Sequence, residues 1–91
     1  MKLRRGSLVI VDWLDTHTDA GWQAPDELDV KPAPVRSVGF VVAATAEALV
    51  LAGDGAPKNP HKDEVNRRIT IPAGMVKCVR SVCISKCEVV K

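Results

Sequence analysis

The longest apolar stretch of the chain covers residues 35–54 and predicts two strands that fold back on each other. β-Branched residues dominate residues 35–42, and aliphatic residues return over residues 47–52. A short helix over residues 43–51 is the alternative, because Ala, Glu and Leu favour helices, but neither a cap nor a 3.6-residue stripe supports it. A chain of 91 residues builds one core, so this hairpin is its predicted centre.

A shorter alternating pattern precedes the hairpin and predicts the first strand. Over residues 8–13 the alternation places Val9, Val11 and Trp13 on one face. Residues 15–34 then contain many turn-forming residues and predict a long loop. One helical turn is expected at residues 25–28, because Pro25 suits the start of a helix.

The part of the chain after the hairpin predicts a loop and two more strands. Residues 53–66 are rich in Gly, Pro and Asn and are expected to form the loop. A strand follows at residues 67–71, and residues 75–82 form the last core strand, bent by a bulge. Residues 83–91 add an edge strand or a tail. The chain is therefore predicted to be all-β: one domain over residues 1–91, a small five-stranded barrel with its core in residues 8–82.

Composition and charge narrow the classes of function. Aromatic residues make up only 3% of the chain, so the core must pack small aliphatic side chains densely or gain burial from another subunit. The net charge of +2 is lower than expected for a nucleic-acid-binding domain, since most such domains carry a dense stripe of basic residues. The odd number of cysteines and the lack of a membrane-length apolar run indicate a soluble protein of the cytoplasm.

One group of carboxylates has the spacing of metal ligands. Asp15, His17 and Asp19 alternate, with Asp12 close by, as oxygen ligands do in a calcium-binding loop. The required glycine falls one place late, and Asp26 stands where such a loop carries glutamate. We therefore interpret the aspartates as turn-capping residues.

The cysteines form the second group of metal-ligating types. Cys78, Cys83 and Cys87 follow a C-x4-C-x3-C spacing with His61 upstream, but zinc sites need a second ligand pair that the chain lacks. A disulfide between Cys83 and Cys87 is an alternative, and Cys78 is expected to pack in the core. We predict neither a metal nor a cofactor.

Five short motifs follow one another along the chain: VDWLD at residues 11–15, GW at 21–22, SVGFVV at 37–42, LVLA at 49–52 and IPAGMV at 71–76. This string resembles small phage and prophage β-barrel proteins of uncharacterised function. A weaker similarity is to Sm-like barrels, although Ala73 stands where their second motif carries arginine. The resemblance implies an SH3/Sm-like barrel that assembles into rings or smaller homo-oligomers, and the missing arginine weakens the case for uridine binding.

Two features suggest ligand binding. Trp22 lies in the polar loop, where an indole can stack on a flat ring, whereas Trp13 follows core positions and is expected to pack. Arg67 and Arg68 belong to the densest basic cluster, which suits a phosphate or, alternatively, guards an exposed strand edge. The predicted ligand-binding set is Trp22, Trp13, Arg67, Arg68, His61 and Lys62.

No catalytic motif accompanies the only two histidines, His17 and His61, so we do not expect an enzyme. The main hypothesis is a phage-type binding protein that captures a small nucleotide-like ligand as a homo-oligomer, in counter-defence sequestration in the host cytoplasm. The outward-facing aliphatic residues of the hairpin favour such assembly. The alternatives are an Sm-like ring that binds single-stranded RNA and a phage regulatory protein that binds a host protein through a strand edge.

Overall fold

Five antiparallel strands build the fold in the computed structural model, which describes residues 3–16, 20–28, 31–56 and 64–83. The strands are β1 (Leu8–Asp15), β2 (Ala33–Ala44), β3 (Ala48–Ala56), β4 (Glu64–Pro72) and β5 (Val76–Ser81). They form one sheet in the order β4-β3-β2-β1-β5. The predicted all-β class and the five strands are confirmed, and the alternative helix over residues 43–51 is wrong.

The sheet is barrel-like but not closed, because no ladder joins β4 to β5 among the described residues. These two strands lie at opposite edges of the order, yet the three-residue 3₁₀ turn Ala73–Met75 connects them. In a flat sheet the two edges would be roughly 19 Å apart, whereas three residues span at most about 11 Å. The sheet must therefore curl until its edges approach each other, which gives it an inner and an outer face.

The inner face carries the core. Its buried apolar side chains come from the first four strands and are Val9, Val11, Trp13, Val41, Leu49, Leu51 and Ile71. The predicted alternation of β1 is confirmed, since Val9, Val11 and Trp13 are all buried. The inward position of Ile71 in β4 is confirmed as well, and Ile69 packs against the same core. Trp13 donates its indole N–H to the Ser37 hydroxyl oxygen at 3.0 Å, which satisfies its one polar atom.

Two bulges keep apolar residues directed inward. In β2 the register shifts between Val41 and Ala43, so Val42 is the extra residue and Ala44 returns to the core side opposite Leu49. In β5 the register shifts where Trp13 pairs with Val76, which confirms the predicted bulge in the last strand. Each bulge adds one residue and so restores the alternation on which inner-face packing depends.

The turn between β2 and β3 is held by a threonine, not by the Asn-Gly pair of a tight hairpin. The Thr45 hydroxyl oxygen accepts hydrogen bonds from the backbone N–H groups of Glu47 and Ala48, at 3.2 and 3.1 Å. The Thr45 N–H donates to the Ala48 carbonyl at 2.9 Å. These bonds explain why the predicted turn falls at this point.

Four predictions on strand boundaries and burial were wrong. The predicted loop of residues 15–34 is shorter, because β1 ends at Asp15 and β2 starts at Ala33. Residues 53–56 and 64–66 are not loop but extend β3 and β4, because ladder pairs such as Asp54–Asn66 outweigh the low strand propensity of Gly and Asn. Met75 belongs to the 3₁₀ turn, and β5 starts one residue later. Cys78 is exposed rather than packed, because the bulge places it opposite Asp12 on the outer face. Cys87 and the tail of residues 84–91 lie outside the described residues.

Candidate functional site

The outer face of the sheet carries the candidate site. Its centre is a cross-strand row, which we call the Phe40–Arg68 row: Phe40 in β2, Ala52 in β3 and Arg68 in β4. Phe40 is 43% exposed, whereas Ala52 between the two larger residues is buried. Because neighbouring strands are about 4.8 Å apart, the backbones of Phe40 and Arg68 are roughly 10 Å apart, with only a methyl group between them.

A cleft adjoins this row where β2 and β3 separate. The two strands pair only as far as Phe40 and Ala52, and beyond this point β2 pairs with β1 while β3 pairs with β4. The cleft has a volume of about 250 Å³ and is lined by Val38, Leu51, Ala52, Gly53, Arg67 and Ile69. Five of its six lining residues have no polar side chain, and Arg67 supplies a guanidinium.

Arg67 is held in a fixed position at this cleft. Its Nε and Nη2 atoms donate to the two carboxylate oxygens of Asp54 at 2.7 and 2.9 Å. Its backbone φ of 52° lies in the left-handed region that most residues avoid, and Asn66 accepts a bond from its N–H at 2.9 Å. The guanidinium passes over Gly53, where a Cβ would lie 3.3 Å from Nε. A side chain at position 53 would thus compete with the Arg67–Asp54 pair.

The hydrogen bonds from Arg67 hold the pKa of Asp54 below its ordinary value of 3.8, and the same pair raises the pKa of Arg67. Because the pKa of Asp54 is lower in the folded chain, the pair stabilises the fold fully above pH 3.8 and loses this effect as the pH falls through the lowered value. Both side chains are largely solvent-exposed, so the stabilisation is small.

We therefore expect Asp54→Asn to lower the denaturant midpoint slightly at neutral pH, and the difference from the unsubstituted chain to shrink as the pH falls below 3.8. Chemical unfolding monitored by circular dichroism measures both. Glu64→Gln, on the same hairpin but without an ion pair in the described part of the chain, is the matched control. If the difference in midpoint between Asp54→Asn and the unsubstituted chain grew at acid pH, the stabilising role of the Arg67–Asp54 pair would be contradicted.

A second ion-pair cluster lies on the outer face over β5, β1 and β2. Asp12 accepts hydrogen bonds from Arg36 Nε at 2.6 Å and Nη2 at 3.2 Å, and from Arg80 Nη2 at 3.4 Å. The bond from Arg36 is the main reason that the pKa of Asp12 is lowered. Two guanidinium groups share one carboxylate, which leaves one net positive charge at this position.

The structure separates the sequence-predicted site residues. Arg67 lines the cleft and is engaged by Asp54, whereas Arg68 belongs to the Phe40–Arg68 row and forms no ion pair within the described ranges. Trp13 lies in the core, and its predicted packing is confirmed. Trp22 is fully exposed. His61 and Lys62 lie outside the described residues.

The described residues contain no candidate metal site and no helix that could span a membrane. No group of three His, Cys, Asp or Glu side chains comes together in that part of the chain, and His17 and Asp19 lie outside it. The helical segments described are 3₁₀ turns of three residues each, and none has the length or hydropathy to cross a membrane.

Sequence reasoning missed Phe40 and the two aspartates that engage arginines. The alternation of β2 places Phe40 opposite Leu8 and on the outer face, so its exposure could be read from the buried Val41 beside it. The ion pairs depend on strand register, which the sequence alone does not fix. No family model, no curated protein and no solved structure matches the chain. The resemblance to phage proteins and to Sm-like barrels stays a prediction.

Proposed function

We propose that this chain is a non-enzymatic binding protein that works as a homo-oligomer and captures a small nucleotide-like ligand on its outer face. The Phe40–Arg68 row carries this proposal. It presents an exposed aromatic ring and, on the other side of a small residue, a guanidinium that has no ion pair among the described residues. A nucleotide has the matching parts, a flat base and an anionic phosphate.

Each side chain of the row supplies one type of interaction. A base that stacks on an aromatic ring gains about 1–3 kcal/mol, and stacking tolerates any base. A guanidinium binds phosphate through two parallel hydrogen bonds, which fixes both position and orientation. The small Ala52 between Phe40 and Arg68 leaves room for a ring to lie flat across the row.

The cleft beside the row accommodates only part of such a ligand. Its volume of about 250 Å³ lies below the ~300–1,000 Å³ typical of pockets that enclose a whole small molecule. A base or a sugar fits there against Val38 and Ile69, while the phosphate stays on the open face near Arg68. Arg67 is a weaker phosphate ligand than Arg68, because Asp54 already occupies the Nε and Nη2 donors of its guanidinium.

The chemistry of the row favours capture over conversion. A guanidinium stays protonated in proteins and a phenyl ring does not titrate, so neither acts as a general base near neutral pH. A surface that holds a nucleotide without transforming it suits sequestration. In a phage-infected cell, such a protein would withdraw a nucleotide signal from the host cytoplasm.

Isothermal titration against a panel of cyclic and linear nucleotides tests the proposal. We expect at least one nucleotide to bind, and Arg68→Gln to weaken it by about 10–100-fold, as expected for the loss of a charge-assisted hydrogen bond. Phe40→Leu keeps an apolar side chain but removes the stacking ring, so a loss of similar size is expected. Lys77→Gln removes the same charge from β5, a strand with no residue in the row or the cleft, and should leave affinity unchanged.

Two results would overturn the proposal. One is the absence of heat with every nucleotide of the panel. The other is retention of single-stranded RNA, lost steeply with salt, by a protein that ignores mononucleotides, since this favours the RNA-binding alternative.

A further inference from the structure

The segment of residues 20–28, which we call the Trp22 loop, leaves large apolar side chains in solvent. Trp22 has a relative exposure of 104% and Leu28 of 50%, and every residue of the loop is exposed. Leaving an indole in water is unfavourable, because about 150 Å² or more of largely apolar surface then stays hydrated instead of being buried. Its own chain does not cover it.

The Trp22 loop is also the acidic part of the chain. Between Trp13 and Lys31 the sequence contains no Lys or Arg, and its acidic residues are Asp15, Asp19, Asp26, Glu27 and Asp29. In the structure, Asp26 and Glu27 belong to the 3₁₀ turn Pro25–Glu27, three to five positions after Trp22. An exposed indole is thus followed closely by two exposed carboxylates.

An apolar surface bordered by basic side chains lies on the outer face, two residues before Phe40 along β2. We call it the Ile10–Val38 surface: Ile10 pairs with Val38, which is 60% exposed, and Arg80 lies on the other side of Ile10. Arg36, two residues before Val38, adds the second guanidinium. Within the part of the chain that the structure describes, Asp12 is the only carboxylate that pairs with Arg36 and Arg80, so the apolar pair is bordered by net positive charge.

We propose that the Trp22 loop of one copy docks on the Ile10–Val38 surface of a second copy. Trp22 covers the two aliphatic side chains, and Asp26 and Glu27 face Arg36 and Arg80 of the other copy. The charges of loop and surface are complementary, and exposed apolar groups are buried on both sides. A two-fold axis makes this contact twice, once with each loop.

This docking deepens the proposed function and rests on its homo-oligomer. Two residues along a strand measure roughly 6.6 Å, so an indole over Val38 lies directly beside the ring of Phe40. The second copy therefore supplies a second aromatic wall to the Phe40–Arg68 row. Trp22 of one copy and Arg68 of the other then belong to one site between two subunits.

Sedimentation equilibrium of the full chain without nucleotide tests the docking. We expect a dimer, and we expect Trp22→Ser and Val38→Glu each to weaken association by about 30-fold or more, as loss of a central anchor does. An equimolar mixture of the two variants should associate more tightly than either alone, because the Trp22 of one still meets the intact surface of the other. Met75→Ser, which trims an exposed apolar side chain on the Ala73–Met75 turn, is the control.

The outcomes separate this inference from the ligand proposal. A monomer at every concentration, a dimer unaffected by Trp22→Ser, or a mixture no tighter than its components overturns the docking. Val38 is an exposed residue, so Val38→Glu leaves the core intact, and circular dichroism confirms that the variant is folded. Nucleotide titration of the unsubstituted chain tests the ligand separately: a dimer that binds no nucleotide of the panel overturns the ligand and not the docking.

Discussion

Replacing Gly39 with valine is expected to lower the melting temperature by roughly 10 °C. Gly39 lies at the point where β2 and β3 separate, and the two backbones approach closely there. A Cβ at Gly39 would lie 2.9 Å from the Ala52 carbonyl oxygen and 3.3 Å from the Leu51 Cβ. Because the nearest atom belongs to the backbone, the strands themselves must move. Overpacking of this kind costs about 1–3 kcal/mol, a large share of the stability of a small domain.

Gly55→Val provides the matched control for this prediction. Gly55 is in the neighbouring strand β3 and has an ordinary backbone conformation, but a Cβ there meets nothing within 4 Å. Thermal unfolding followed by circular dichroism should therefore separate the two variants, with the Gly55 variant close to the unsubstituted chain. Equal melting temperatures for the two variants would show that the close approach at Gly39 has no energetic consequence.

Leu49→Ala is expected to cost about 3 kcal/mol of unfolding free energy. Leu49 has no solvent exposure and faces Ile71 across the β3–β4 ladder, in a core that contains only one aromatic residue. The substitution removes buried methyl groups and leaves a cavity that neighbouring strands fill only partly. In a core of small side chains no large neighbour can move in to compensate, so the full cost is expected.

Val50→Ala, at the next position of the same strand, is the comparison. Val50 is half-buried and pairs with the exposed Thr70 on the opposite face, so its truncation should cost about 1 kcal/mol or less. Urea unfolding monitored by circular dichroism gives both free energies. A cost for Val50→Ala as large as that for Leu49→Ala would mean that the outer face at β3 is covered as completely as the core.

Alternation of apolar residues was enough to predict much of the fold. β1 and β4 each show a two-residue period that places Val9, Val11 and Ile71 inward, and burial against the sheet enforces that period. The ends of β3 and β4 could not be predicted in this way. Gly53 and Gly55 have low strand propensity. They are tolerated because Gly55 pairs with Val65 of β4 and the guanidinium of Arg67, from the same strand, passes over Gly53.

The candidate site was only partly predictable, because two adjacent residues of a strand can contact different partners. Arg67 and Arg68 look equivalent in the sequence, yet one is engaged by Asp54 while the other lies across from Ala52. Only the register of the β3–β4 ladder distinguishes them, and register is a property of the paired strands. The exposure of Trp22 follows from its polar surroundings, whereas the surface complementary to its loop emerges only when β1, β2 and β5 are placed side by side.

The ladder between β1 and β5 has a consequence for how the chain folds. Every other ladder joins strands that follow each other in sequence, whereas Val9 pairs with Ser81 and Asp12 with Cys78. Closing so long a segment costs entropy before its contacts form, so the successive hairpins have a kinetic advantage over this pairing. The cost of closure grows only with the logarithm of length, and doubling the segment adds about 0.6 kcal/mol. Longer connections between the strands would therefore slow the final step very little.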